Sequence, residues 1–79
     1  MFLAAAIMKI GNLVIKLVKR YWNEGDMWEV FIKDYKSIGF LRRTITEYYH
    51  ALLRYGKEYV EFKTKKEAVE YLVSSYNPH

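Results

Sequence analysis

The end of the chain has residue types that fit a strand followed directly by a helix. Polar and apolar residues alternate over 58–63, as they do in a strand with one buried face. Thr64 and Glu67 then have the spacing of a capping box, whose hydroxyl and carboxylate bind backbone N–H groups at a helix start. Apolar residues follow at helical spacing: Ala68, Val69, Leu72, Val73 and Tyr76. The sequence therefore predicts a strand and a helix that ends before Asn77-Pro78.

Chain length and composition limit how such a unit can be stabilised. The chain has 79 residues, and a domain of this size buries only about 60% of the surface that its unfolded form exposes. It has no cysteine, which excludes disulfides and cysteine zinc sites. Its two histidines, His50 and His79, are far apart, so we expect neither a metal site nor a cofactor. With 52% hydrophobic and 18% aromatic residues, we predict one domain over 1–79 with an apolar, aromatic core.

The N-terminal segment is predicted to be an amphipathic helix over 3–21. Its apolar residues recur at i, i+3 and i+4, and the lysines fall on the other side. The apolar stripe consists of Leu3, Ile7, Ile10, Val14, Leu17, Val18 and Tyr21. This face is wide enough to cover a sheet and also to join two copies in a homodimer.

The same segment bears on where the protein is located. Its basic residues follow the apolar run, whereas a signal peptide begins with them. The apolar run is interrupted at Lys9 and is too short to span a membrane, which takes about 20 residues. We therefore expect a cytoplasmic protein without a membrane span, and the alternative is a helix lying on a membrane surface.

The middle of the chain is predicted to contain two strands. Residues 28–33 alternate with period two, and 37–39 fit a turn. Residues 41–55 fit either a strand or a helix, because Thr44 and Glu47 could also form a capping box. β-Branched residues and paired tyrosines favour the strand, and Gly56-Lys57 fits a two-residue hairpin turn. The predicted fold is α+β, with a helix, a three-stranded antiparallel sheet and a second helix; in the alternative, residues 45–55 are helical.

No catalytic motif is evident, and we do not predict an enzyme. The chain has no glycine-rich phosphate loop, nucleophile elbow or cysteine nucleophile. Glu61-Phe62-Lys63 resembles the Glu-x-Lys element of restriction-type metal-dependent nucleases, in which Asp34 or Glu47 would be the second acid. A solvated charge pair is the preferred interpretation of this short pattern.

The outward face of the predicted sheet combines cations with aromatic rings. The net charge of +4 permits a polyanionic partner, and cations and rings suit phosphates and bases, respectively. Two lysines also lie at the predicted start of the last helix, where phosphates bind well. The candidate nucleic-acid-binding residues are Lys33, Arg42, Tyr48, His50, Arg54, Lys57, Tyr59, Lys63, Lys65 and Lys66.

We predict a small nucleic-acid-binding module, with DNA ahead of RNA. The alternative is a protein-interaction module, such as a small inhibitor or accessory subunit, that binds an acidic protein surface or self-associates.

A family resemblance supports the first hypothesis. The run 62–68, preceded by Gly56-Lys57 and followed by Tyr71-Leu72, resembles the end of the arm-binding N-terminal domain of tyrosine recombinases. Residues 28–32 are similar to the first strand of those domains, and the resemblance covers 27–76. It implies a three-stranded sheet that is closed by one helix and enters the DNA major groove. The predicted order also resembles the double-stranded-RNA-binding fold, in which the lysines at 65 and 66 would grip phosphates.

Overall fold

Six strands and one helix make up the described part of the chain. The computed structural model describes residues 5–20, 25–32 and 36–76. The elements are β1 (Ala5–Ile10), β2 (Leu13–Arg20), β3 (Asp26–Ile32), β4 (Lys36–Arg43), β5 (Tyr49–Leu53), β6 (Val60–Phe62) and α1 (Lys65–Tyr76). Each strand pairs antiparallel with the next, in the order β1-β2-β3-β4-β5-β6. The predicted arrangement of a helix, a three-stranded sheet and a helix is therefore wrong.

The predicted N-terminal helix is instead the hairpin of β1 and β2. Ile10 pairs with Leu13 across a turn made by Gly11 and Asn12. Gly11 has a φ of 60°, the positive value that a type II′ hairpin turn requires at its first central residue. The flanking segments are rich in β-branched residues, which favour strands. These residues are Ile7, Ile10, Val14, Ile15 and Val18.

The middle of the chain was predicted correctly in part. The strand predicted over 28–33 is confirmed as β3, and the helical alternative for 45–55 is wrong. The single strand preferred over 41–55 is also wrong, because that segment contains the end of β4, a turn and β5. The turn predicted at 37–39 is wrong, because those residues lie inside β4, where the pairing with β3 shifts by one residue. β4 and β5 are separated by a turn in which the Glu47 N–H donates to the Thr44 carbonyl at 3.0 Å. The two-residue turn at Gly56-Lys57 is also wrong, since β5 and β6 are joined by the longer loop 54–59.

The predicted terminal strand and helix are confirmed by β6 and α1. The Glu67 N–H donates to Thr64 Oγ1 at 3.1 Å, and the Thr64 N–H donates to Glu67 Oε1 at 3.3 Å, which completes the capping box. The buried helical residues are Ala68, Val69, Leu72 and Val73. The predicted stop at Asn77-Pro78 lies outside the described residues.

The core lies between α1 and one face of the sheet, which we call the helix face. The helix packs mainly on β4, β5 and β6. One buried cluster joins its apolar stripe to sheet residues Ile15, Leu17, Val30, Ile32, Ile38, Leu41 and Ala51. Gly39 allows the close approach, because a Cβ there would overlap the Leu52 carbonyl oxygen and lie 3.0 Å from Leu72 Cδ2. Within 5–20, 25–32 and 36–76 no other element packs on the sheet, so none of the described elements covers its second face, which we call the open face.

Candidate functional site

The open face carries most of the cations and several of the rings of the sheet. Strand pairing puts Lys16 opposite Phe31 and Arg42 opposite His50, and alternation sends their neighbours to the helix face. Its cations are Lys9, Lys16, Arg20, Arg42 and Arg54. Its rings are Phe31, Phe40, His50 and Tyr59. The face also has two carboxylates, Glu29 and Glu61, so its five cations exceed its carboxylates by three positive charges.

Four side chains form a row across β4, β5 and the start of β6. The guanidinium carbon of Arg42 lies 3.6 Å from the centre of the Tyr59 ring. Arg42 Nη2 donates to His50 Nδ1 at 3.5 Å, and His50 Nε2 lies 3.7 Å from Glu61 Oε1. The rings of His50 and Tyr59 are 6.1 Å apart. The row holds a cation against an aromatic surface, an arrangement that can meet a phosphate and a base together.

A second group on the open face surrounds Glu29. Arg20 donates to Glu29 Oε1 from Nε at 3.1 Å and from Nη2 at 2.7 Å. Burial alone would raise the pKa of the Glu29 carboxyl, but the hydrogen bonds from Arg20 and the charges of Arg20 and Arg54 hold this pKa below its ordinary value. The Arg54 guanidinium carbon lies 5.8 Å from the Phe40 ring centre. Glu29 thus stays ionised at neutral pH and holds Arg20 through two hydrogen bonds.

The sequence-predicted residues are only partly brought together. Arg42, His50, Arg54 and Tyr59 share the open face. Tyr48 and Lys63 lie at its β6 edge, where they line a shallow depression with Glu61 and Phe62. Lys57 is exposed in loop 54–59.

The two lysines of the helix start do not join this group. Lys65 Nζ lies 4.2 Å from the Trp28 ring centre, and Trp28 packs against the core on the helix face. Lys66 is exposed at the start of α1. Lys33 lies outside the described residues. Lys65 therefore lies apart from the cations of the open face.

Three open-face cations were not among the predicted residues. Lys9, Lys16 and Arg20 had been assigned to the polar side of a helix. The glycine-first dipeptide Gly11-Asn12 between β-branched residues was the signal that would have placed them on strands. Phe40 was not recognised as an open-face ring, because a turn was predicted directly before it.

A cleft opens at one end of the sheet, between the start of β4, loop 54–59 and the end of α1. Its volume is about 770 Å³. Its lining includes Glu29, Phe31 and Arg54 from the open face, and Lys36, Tyr55 and Tyr76. The cleft is therefore continuous with the open face.

Neither a metal-binding cluster nor a membrane-spanning helix is found among the residues that the structure describes. No group of three or more His, Cys, Asp and Glu side chains there could hold a metal ion. None of the helices in that part of the chain is long and apolar enough to cross a membrane. Glu61, which the nuclease-like pattern singled out, lies beside His50, and the second-acid candidate Glu47 is exposed in the turn after β4.

Comparison with known proteins adds no further assignment. No family model matches the chain, and neither a curated protein nor a solved structure shows significant similarity to it.

Proposed function

We propose that this chain is a small nucleic-acid-binding module, not an enzyme, and that it binds a single strand across the open face of its sheet. The observation that supports the proposal is the row in which Arg42 stacks on Tyr59 beside His50. A guanidinium held on a ring has already lost much of its conformational freedom, so less entropy is lost when it binds a phosphate. The three excess positive charges of the open face add attraction over a longer range.

The width of the sheet favours a single strand over a duplex. Six strands spaced about 4.8 Å apart span about 24 Å, whereas the DNA major groove is about 12 Å wide and admits a two-stranded ribbon. A six-stranded sheet therefore cannot enter the groove face-on, as the recombinase resemblance implies. Unstacked bases of a single strand can instead lie on exposed rings, each contributing about 1–3 kcal/mol. DNA is the proposed polymer, and an RNA of the same sequence is a test arm.

Salt-dependent binding of a labelled oligonucleotide tests the proposal. Fluorescence anisotropy with a single-stranded 12-mer of DNA, the RNA equivalent and a duplex should show tightest binding to a single strand. The logarithm of affinity should fall linearly with the logarithm of salt concentration, with a slope of about 0.7 for each phosphate neutralised.

Two variants with the same change in charge locate the contact surface. Arg42→Gln should weaken binding about tenfold and reduce the slope by about 0.7, because it removes one phosphate contact. Arg43→Gln removes an exposed cation on the helix face of the same strand and should leave both unchanged. Tyr59→Ala should weaken binding with little change in slope, which separates stacking from charge. Binding that is independent of salt, or equal losses in Arg42→Gln and Arg43→Gln, would overturn the proposal, provided that circular dichroism shows folded variants.

The second candidate function is protein interaction through β1. The homodimer proposed from the sequence used a helix that is not present, but β1 is an edge strand with apolar neighbours. Ile7 and Val14 are 60% and 45% exposed on the open face beside that edge. An exposed edge strand can pair with a strand of another chain. Sedimentation velocity should then show salt-independent self-association that Ile7→Lys abolishes, and a monomer at all concentrations would contradict it.

A further inference from the structure

The cleft at the end of the sheet has the size and chemistry of a site for an anionic aromatic group. Its volume of about 770 Å³ falls within the roughly 300–1,000 Å³ that is usual for small-molecule sites. Two cations line it, and each lies near a tyrosine ring. Lys36 Nζ is 5.6 Å from the Tyr76 ring centre, and the Arg54 guanidinium carbon is 5.7 Å from that of Tyr55.

The exposure of Tyr55 points to a missing partner for its ring. Tyr55 is 92% exposed, and it lies in loop 54–59 at the mouth of the cleft. A large aromatic side chain left in water at the edge of a cavity gains free energy when another planar group stacks on it. A neighbouring cation adds a site for an anion attached to that group. A nucleotide combines both features.

The cleft is also placed where a strand on the open face would reach it. Glu29, Phe31 and Arg54 line the cleft and belong to the open face. The lining has two cations, Lys36 and Arg54, against one carboxylate, Glu29, so a phosphate is expected beside the two cations. The base is then left to the tyrosine rings and Phe31.

We propose that the cleft binds one nucleotide of the single strand, with its phosphate at Lys36 and Arg54 and its base stacked on Tyr55 or Tyr76. This inference rests on the proposed function, since it extends the open-face site by one pocket. It differs from that function in its residues, because Arg42 and Tyr59 do not line the cleft.

Amide chemical shifts of the full chain test the pocket directly. Deoxyadenosine 5′-monophosphate should shift residues 36–38, 54–56 and 75–76, and inorganic phosphate alone should shift them much less. A 12-mer should displace the mononucleotide from the cleft. Equal shifts from phosphate and nucleotide would reduce the cleft to an anion site and overturn the proposal. Nucleotide binding that the 12-mer does not displace would overturn the link to the strand.

Oligonucleotide affinity of cleft variants completes the test. Tyr55→Ala and Lys36→Gln change exposed side chains, and each should weaken 12-mer binding about fivefold to tenfold. Arg43→Gln, which removes an exposed cation on the helix face of β4, is the matched charge control and should change nothing. If Arg42→Gln weakens binding while both cleft variants bind as wild type, the cleft proposal fails and the open-face function stands. If the wild-type chain binds no 12-mer, both fail.

Discussion

Replacing Gly39 by alanine tests how closely β4 fits between its neighbours. Gly39 has a φ of 156°, a conformation that residues with a side chain rarely adopt. The added Cβ would overlap the Leu52 carbonyl oxygen, which belongs to the backbone of β5, and would lie 3.0 Å from Leu72 Cδ2. Leu72 is completely buried and has little room to move. Both the sheet backbone and the helix would therefore have to shift.

Backbone strain and overpacking both lower the free energy of unfolding of Gly39→Ala. Backbone strain of this kind costs about 1–3 kcal/mol, and overpacking a core adds about 1–3 kcal/mol. A 79-residue domain has a free energy of unfolding of about 4–12 kcal/mol, at about 0.05–0.15 kcal/mol per residue. Gly39→Ala is therefore expected to remove about 2–6 kcal/mol, which is a large part of the total.

Urea denaturation followed by far-UV circular dichroism measures the loss, with Gly11→Ala as the matched control. Gly11 also has a positive φ, but a Cβ there meets no atom within 4 Å. Gly11→Ala should cost only the backbone strain, about 1–2 kcal/mol. The reasoning about close packing is refuted if Gly39→Ala destabilises the protein no more than Gly11→Ala does.

Three further substitutions test other local features. Because the folded-state pKa of Glu29 lies below its ordinary value of 4.5, its ion pair adds stability above that pH and loses it as pH falls through the folded-state pKa. Glu29→Gln should thus be less stable than wild type at pH 7, and the difference should shrink as pH falls through the folded-state pKa in urea titrations; a constant difference would contradict this. Thr64→Ala should lower the free energy of unfolding by about 1 kcal/mol through loss of the helix cap, and an unchanged urea midpoint would exclude that role. Glu47→Gly should raise the melting temperature, since Glu47 has a φ of 69°, and a lower value would argue against strain there.

The part of the fold that the sequence predicted correctly is the part with local signals. The capping box of Thr64 and Glu67 lies within four residues, and the apolar stripe behind it needs no knowledge of the rest of the chain. The strand β3 was likewise predictable from its period-two alternation of residues. Both elements follow from short-range rules that tertiary packing reinforces.

The N-terminal hairpin was misread because β2 is apolar on both faces. Ile15 and Leu17 face the core, while Val14 and Val18 lie on the open face. Apolar residues at consecutive positions of a strand also satisfy the i, i+3 and i+4 spacing of a helix, so periodicity alone could not distinguish the two. The residue that distinguishes the two is Gly11, whose positive φ reverses the chain between β1 and β2. Within a helix, a glycine would only lower stability by about 1 kcal/mol.

The candidate site was predictable only where strand alternation determined it. Arg42, His50 and Arg54 were assigned to one face by even spacing along a single strand, and the structure also puts them on one face. Alternation explains this for His50 and Arg54, whereas Arg42 lies on β4 and shares the face because it pairs with His50 of β5. The cleft could not be predicted, because Lys36, Tyr55 and Tyr76 meet only after β4, loop 54–59 and the end of α1 are packed together. Long-range contacts of this kind leave no pattern in the order of residues.

The distribution of charge between the two faces favours the open face as the binding surface. Its three excess positive charges are most of the net charge of +4 carried by the whole chain. Its two carboxylates each lie beside a basic group, Glu29 beside Arg20 and Glu61 beside His50. A cation held on an exposed ring gains about 0.5–1 kcal/mol in the free protein, and a polyanion with planar groups can then interact with both the cation and the ring. Lys65 is held on Trp28 in the same way, but on the helix face and apart from the open-face cations.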